Sequence, residues 1–255
     1  MLLNFTGKNV FITGGSRGIG RACAILFSKL KANVAITYKS NKVEAEKTLS
    51  MLDSDLMNVM YALDINDAAS VENVFSNAVE QFKGIDVVVN NAGVFLEHKI
   101  DSISYEKWQQ IWQETISTNL TGVSNLCYVA GQHMIKNGGG KIVNIGSRGA
   151  FRGEPDHPAY GASKAGLHAM SQSLAIALAP YNISIGVVAP GFVETDMTSA
   201  YLKSEKGNAI KKQSPLNRVA TADEVANIVS VFAADGFEFM TGGIVDLNGA
   251  SYLRT

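Results

Sequence analysis

A single doubly wound α/β domain, with a seven-stranded parallel sheet and helices on both faces, is the fold this sequence predicts. Three observations predict it. Apolar periodicity switches repeatedly between short β-rich runs and helical spacing. A glycine cluster stands between the first such run and the first helix. No Pro/Ser-rich linker, repeat or low-complexity stretch interrupts the 255 residues. One large α/β domain of about 250 residues accommodates that length.

The elements follow in order. Val10-Phe11-Ile12 is the first strand, and Ile19, Ala22, Cys23, Leu26 and Leu30 then recur at three- and four-residue steps, the buried stripe of a helix. Val34-Ala35-Ile36-Thr37 is the second strand, and the alternation of Met57, Val59, Tyr61 and Leu63 marks a third. Residues 69–82 form a helix with Val71, Val74, Phe75 and Val79 on one face. Val87-Val88-Val89 is apolar throughout, as a strand buried on both faces should be. Helical spacing then runs from about 105 to 135. Lys141-Ile142-Val143-Asn144-Ile145 is the fifth strand, Pro158 opens a helix to about 179, and residues 183–188 make the sixth strand. A loop-and-helix segment at 195–213, a helix from Thr221 with Asp223 and Glu224 in its first turn, and a last strand at Ile244-Val245-Asp246-Leu247 complete the chain.

Composition narrows the function. Lys and Arg number 22 against 23 Asp and Glu, a net charge of -1, which argues against nucleic acid or an anionic membrane as partner. No apolar run approaches the ~20 residues of a membrane span, and the N-terminus lacks a signal-peptide pattern. Cys23 and Cys127 are too few for a disulfide framework or a zinc site and are expected in the core. The expectation is a soluble cytoplasmic protein with no metal centre.

The first strand leads directly into Thr13-Gly14-Gly15-Ser16-Arg17-Gly18-Ile19-Gly20. Glycines between a strand and an amphipathic helix suit a dinucleotide, whose diphosphate must approach main-chain N–H groups closely. At the end of the second strand, where an NAD site places an acid for the ribose hydroxyl, the chain reads Tyr38-Lys39-Ser40-Asn41, with no acid before Glu44. Arg17, Lys39 and Ser40 fit a 2′-phosphate, which favours NADP(H) over NAD(H). Both cations also suit ordinary solvated surface positions.

Tyr160 and Lys164 stand at i and i+4 on one helix face, a spacing that Tyr38 and Lys42 match as well. Context separates the two pairs, because Tyr160 follows Ser147, which lies just past the fifth strand at the edge where open α/β sheets bind ligands. A nearby cation should lower the phenol toward the working pH of a general acid/base. Ser147 is placed to bond a substrate carbonyl, and Asn119 is a polar break inside an apolar helix.

Taken together these residues resemble the short-chain dehydrogenases/reductases, over essentially the whole chain. The matching stretches are the glycine turn, Asp64-Ile65, Asn90-Asn91-Ala92-Gly93, Thr118-Asn119-Leu120, Ile145-Gly146-Ser147, Tyr160 to Lys164, and Pro190-Gly191-Phe192-Val193-Glu194-Thr195-Asp196-Met197. The last of these, with Arg218 and Asp223-Glu224-Val225-Ala226, is most similar to the 3-oxoacyl-[acyl-carrier-protein] reductase branch. The resemblance implies a Rossmann fold and a tetrad of Asn119, Ser147, Tyr160 and Lys164. In it Tyr160 passes a proton to the carbonyl oxygen as hydride arrives from the nicotinamide, Lys164 bonds the nicotinamide ribose, Ser147 orients the substrate, and Asn119 holds a relay water. Further cofactor residues implied are Gly14, Ser16, Gly18, Ile19 and Gly20 in the turn, with Asp64 and Ile65 at the adenine. Asn91, Ala92 and Gly93 follow at the adenosine ribose, and Pro190, Gly191, Val193 and Thr195 at the carboxamide. The family also implies a homotetramer packed through the two long helices.

Two stretches depart from that branch. Its members carry arginines before the fifth and sixth strands that grip an acidic carrier, where this chain reads Lys136-Asn137-Gly138-Gly139-Gly140-Lys141 and Ala179-Pro180-Tyr181-Asn182. A docking patch for acyl carrier protein is therefore weak, and a free small-molecule carbonyl or alcohol, or a CoA ester, gains ground. The second departure is the loop 148–157, with Arg148, Arg152, Glu154, Asp156 and His157 beside the expected pocket. Its arginines either reach an anionic or polyhydroxylated substrate or are loop-surface charges. The pocket is expected from Leu96 and its neighbours, this loop and 195–213. The substrate classes left open are a 3-oxoacyl thioester, a sugar or polyol, and a secondary-metabolite ketone. A nucleotide-binding regulatory protein without turnover is the reading from another class.

Overall fold

The computed structural model describes residues 3–195, 198–199 and 202–254. The sheet has the order β3-β2-β1-β4-β5-β6-β9 and every neighbouring pair is parallel. Its strands are β1 (Asn9–Ile12), β2 (Asn33–Tyr38), β3 (Asn58–Ala62), β4 (Val87–Asn90), β5 (Gly140–Ile145), β6 (Ile183–Pro190) and β9 (Ile244–Leu247). A two-stranded ladder of β7 (Val193–Glu194) and β8 (Ala220–Thr221) stands apart. The chain winds outward from β1 in one direction and from β4 in the other, so a crevice opens between their carboxyl ends.

The central strands are buried as their uninterrupted apolar character requires: Val10, Phe11 and Ile12 are fully inaccessible, as is Val88. Helices α1 (Gly18–Lys29) and α8 (Ala222–Ala233) cover one face, with Phe27, Val225 and Val229 in the shared core. Helices α3 (Ala68–Phe82), α5 (Gly122–Lys136) and α6 (Pro158–Leu178) cover the other, with Phe75, Leu126 and Leu167. The remaining helices are α2 (Lys42–Leu49), α4 (Tyr105–Ile116) and α7 (Glu205–Lys211), the last inside the segment expected at 195–213. Asp196, Met197, Ala200 and Tyr201 of that segment lie outside the described residues. Among the described residues no helix is long and apolar enough to cross a membrane.

Two features were not anticipated. The helical stretch expected from 105 to 135 is one rod in three parts, because residues Ser117–Thr121 wind as a π-helical turn between α4 and α5, with the Gly122 N–H bonding the Ser117 carbonyl five residues back. Secondly, a polar ladder crosses the apolar core: Asn90 Nδ2 donates to Asn144 Oδ1 at 2.8 Å, and Asn144 Nδ2 to Ser171 Oγ at 2.8 Å. It ties β4, β5 and α6 in one register, directly beneath the sheet's carboxyl edge. Cys23 and Cys127 are buried, and that burial pushes both thiols up to about 12.

Candidate active site

The crevice holds a cavity of about 430 Å³ that runs from the glycine turn to Tyr160. At its nucleotide end the turn is braced before any ligand arrives. Thr37 accepts the Gly14 N–H at its hydroxyl and the Gly15 N–H at its carbonyl. Asn91 donates its amide to the Thr13 carbonyl at 2.9 Å and to the Gly14 carbonyl at 3.1 Å. Gly14 and Gly18 take φ of +65° and +55°, conformations in which a side chain would be strained. Gly20 stands behind the turn, where a Cβ would lie 2.3 Å from the Gly14 carbonyl oxygen.

The helix that follows begins without a side-chain cap, as α5 and α6 also do. Helices α2, α3, α4, α7 and α8 all have a side chain capping their first turn, but α1 starts at Arg17 with no side-chain cap and no acid in its first turn. Its orphan N–H groups face the cavity, which fits a diphosphate of the dinucleotide expected there. Beyond them Arg17, Tyr38, Lys39 and Ser40 line the far end, joined by Asp64 and Ile65. Lys39 Nζ sits 2.8 Å from Asp64 Oδ2, so the cation expected for a 2′-phosphate is paired with the acid expected at the adenine. Glu44, the first acid after β2, is taken by Arg21 at 2.5 Å.

At the other end Ser147, Tyr160 and Lys164 converge on the cavity wall, while Asn119 lies one layer behind it. Pro158 at the first turn of α6 sets the helix start, and Tyr160 and Lys164 follow on one face, with Lys164 Nζ 5.8 Å from the phenol ring centre. Ser147 stands two residues past β5 and caps the short turn that follows by accepting the Gly149 N–H at 2.9 Å. That bond occupies a hydroxyl lone pair and leaves its proton to donate. The Ser147 N–H is received by His168 Nε2 at 3.3 Å, which puts the ring proton on Nδ1, a buried nitrogen without a partner. Burial, with Lys164 and Arg254 nearby, pushes His168 down to about 4.

The electrostatics correct one expectation. Burial raises the Tyr160 phenol above its ordinary value, opposed by a hydrogen bond with Ser147 and reinforced by Glu154. Lys164 turns its ammonium to the Ile145 carbonyl at 2.7 Å instead, and burial lowers it to about 8. The tyrosine is therefore held as an acid, and the lysine is the group poised to change its charge near neutral pH. Asn119, fully buried in the π-helical turn, donates to the Val94 carbonyl and Ser163 Oγ, and accepts the Val94 N–H at 2.8 Å. Its side chain clamps the strand-loop that carries Asn91, Ala92 and Gly93.

Other expected residues gather here as well: Pro190, Gly191, Val193 and Thr195 line the cavity, as do Ala92 and Gly93. The pocket wall expected at Leu96 and its neighbours is formed by Val94 and Phe95, with Leu96 itself not among the lining residues, and Phe192 joins it without having been given a role. Phe95 stacks on His157 with ring centres 3.7 Å apart and meets the Tyr160 ring edge-on at 4.7 Å. Of the two loop arginines, Arg148 is buried and lines the cavity, whereas Arg152 bonds Gln213 at 2.7 Å.

The chain is similar to known proteins along nearly its whole length. A family model described as Enoyl-(Acyl carrier protein) reductase matches residues 14–249. The 3-oxoacyl-[acyl-carrier-protein] reductase of Escherichia coli (strain K12) is 37% identical over 98% of this chain and 100% of its own length. That of Staphylococcus aureus (strain N315) is 34% identical over 96% and 98%. A short-chain dehydrogenase from Burkholderia cenocepacia, solved in complex with NADP, superposes with a TM-score of 0.89 at 29% identity, covering 97% of this chain and 99% of that one. A putative short-chain alcohol dehydrogenase from Sinorhizobium meliloti gives 0.90 at 29% identity, covering 97% of each chain. The chain belongs to the short-chain dehydrogenase/reductase family.

Proposed function

We propose that this oxidoreductase reduces a ketone to a secondary alcohol at Tyr160, or runs the reverse oxidation, with NADP(H) as the hydride carrier. Asn119, Ser147, Tyr160 and Lys164 form the working set. One observation carries the reading: a buried phenol that retains its proton faces a cavity continuous with the uncapped N-terminus of α1. When bound, the nicotinamide supplies hydride to the carbonyl carbon. Ser147 donates its free proton to the carbonyl oxygen, and Tyr160 gives that oxygen the proton it needs to become a hydroxyl. Lys164, lowered to about 8, is able to pass a proton on and restore the phenol. Asn119 keeps the Gly93-Val94 backbone in place beside it.

Preference for the phosphorylated cofactor rests on Arg17, Lys39 and Ser40 at the far end of the cavity, with Glu44 withdrawn by Arg21. The other cofactor-binding residues keep the places described above, and 195–213 serves as the substrate-side segment. Titration with NADPH and NADH, followed by an NADPH-oxidation screen over ketones, tests the reading. Replacing Tyr160 with Phe should cut turnover about a thousandfold while NADPH still binds. A response that survives the substitution points to a nucleotide-binding regulator instead.

The names of the relatives favour a second reading, in which the ketone is a 3-oxoacyl thioester. Delivery on acyl carrier protein finds little support in the charges, because Lys141 is buried and bonded to Glu238 at 2.5 Å. We further propose a cytoplasmic homotetramer packed through α5 and α6, where Tyr128 and Ile176 are 68% and 79% exposed. Light scattering giving a mass other than four chains would refute that assembly.

A further inference from the structure

The substrate end of the cavity holds a carboxyl group that the tetrad does not use. Glu154 lines the cavity with Ser147, Tyr160, Phe95 and Phe192. Its reach toward the chemistry is fixed by Gly149: a Cβ built there would lie 3.2 Å from Ser147 Oγ and 3.5 Å from Glu154 Oε1. Ser147 Oγ and Glu154 Oε1 are therefore less than about 7 Å apart, close enough for one small substrate to reach both.

Glu154 is held from behind. Arg148 Nη2 approaches its Oε1 at 3.7 Å, and the same guanidinium is anchored by Gln213 Oε1 at 3.0 Å and Ser251 Oγ at 2.7 Å. Arg148 is only 3% exposed, and its Nε has no partner. Among the described residues Arg148 is the one cation paired with Glu154, and the contact is too long for a strong hydrogen bond. Burial holds the Glu154 carboxyl above its ordinary value, partly opposed by Arg148 and Arg152. The Glu154 oxygens thus line the cavity with the long Arg148 contact as their ion pair among the described residues, in a place where a partner on the ligand would be gained at little cost.

Ligands differ sharply in what they offer such a group. Near its reacting carbon a 3-oxoacyl thioester has two carbonyl acceptors and an apolar chain, so its lone pairs would oppose the carboxylate. A ketone with a neighbouring hydroxyl offers a donor. Resting on the carbonyl-reductase reading above, we propose that Glu154, braced by Arg148, selects ketones bearing a hydroxyl group one or two carbons from the carbonyl. The substrate class is then a polyhydroxylated ketone, and in the reverse direction a polyol.

The test measures kcat/KM with NADPH for dihydroxyacetone and a ketohexose against ethyl acetoacetate and acetoacetyl-CoA, in the parent, Glu154→Gln and Glu154→Leu. The parent should favour the hydroxy ketones at least about tenfold. Glu154→Gln, which keeps the shape, should lower that preference about tenfold, and Glu154→Leu about a hundredfold, with the loss in KM and the apolar keto ester improved. A parent that prefers the thioester or keto ester overturns the inference and leaves the reductase reading standing. So does an equal loss on both substrate classes, since Glu154 would then only support its loop. Turnover of no ketone and no polyol in either direction overturns both.

Discussion

The two ends of the cavity are built in different ways. At the nucleotide end the binding surface is main chain, and each turn residue is braced by a neighbour in the sheet: Thr37 from β2, Asn91 from the end of β4, and Gly20 packed against Gly14. At the substrate end it is side chains on loops, with Phe95, Arg148, Glu154 and Phe192 drawn from three separate connections. A backbone surface recognises what all dinucleotides share, and a side-chain surface recognises what one substrate has. The contrast predicts that substitutions at the first end disrupt binding outright, whereas those at the second retune selectivity.

The largest effect expected on cofactor binding is at the glycine turn. Gly20→Ala places a Cβ 2.3 Å from the Gly14 carbonyl and 2.6 Å from Asn91 Nδ2, so the backbone must move. NADPH affinity should fall at least about a hundredfold, roughly 3 kcal/mol, in a fluorescence titration. An unchanged affinity would show that the turn is more adaptable than its bracing implies.

A smaller effect marks the seam between the ends. His168 stays neutral to about pH 4 in the folded chain but takes up a proton near 6.5 when unfolded. The unfolded state therefore binds more protons between those values, and stability falls as pH drops from about 6.5 to 4. For this buried ring the loss amounts to about 2 to 3 kcal/mol by pH 4.5. Comparing urea midpoints at pH 7 and pH 4.5 for the parent and His168→Gln should show the slope largely gone in the variant. Equal slopes would assign the acid lability elsewhere. The smallest effect is at the exposed rim, where Lys39→Ala should reduce the preference for NADPH over NADH about tenfold. No change would leave the 2′-phosphate to Arg17 and Ser40.

Legibility in the sequence followed the same division. The fold was readable because strand and helix periods are local, and Val87-Val88-Val89 announces a central strand without help from its neighbours. The glycine turn was readable because it directly follows a strand, whereas Asn119, Ser147, Tyr160 and Lys164 came together through the family resemblance, with only the Tyr160–Lys164 spacing on one helix legible by itself. The pairing of Lys39 with Asp64 was not, since it joins the ends of two different strands. Nor was the upward push on Tyr160, which comes from burial by loops that approach from elsewhere in the chain. Glu154 was visible as a residue in a charged loop, but its place beside Ser147 depends on how that loop folds back over Gly149.

The wide turn at Ser117–Thr121 makes the length of its rod as important as its composition. Before it, Ile111 and Thr115 face inward; after it, Val123, Leu126, Cys127, Ala130 and Met134 do. The turn takes up one residue more than ordinary winding would, which keeps both stripes on the sheet, whereas removing one residue from α4 or α5 would rotate one apolar stripe against the other by about 100°. Either half could then seat against the sheet, but not both. Outside Asn119 and its clamp on Val94, the rod should tolerate changes of side chain on its exposed face better than any change in the length of its helices.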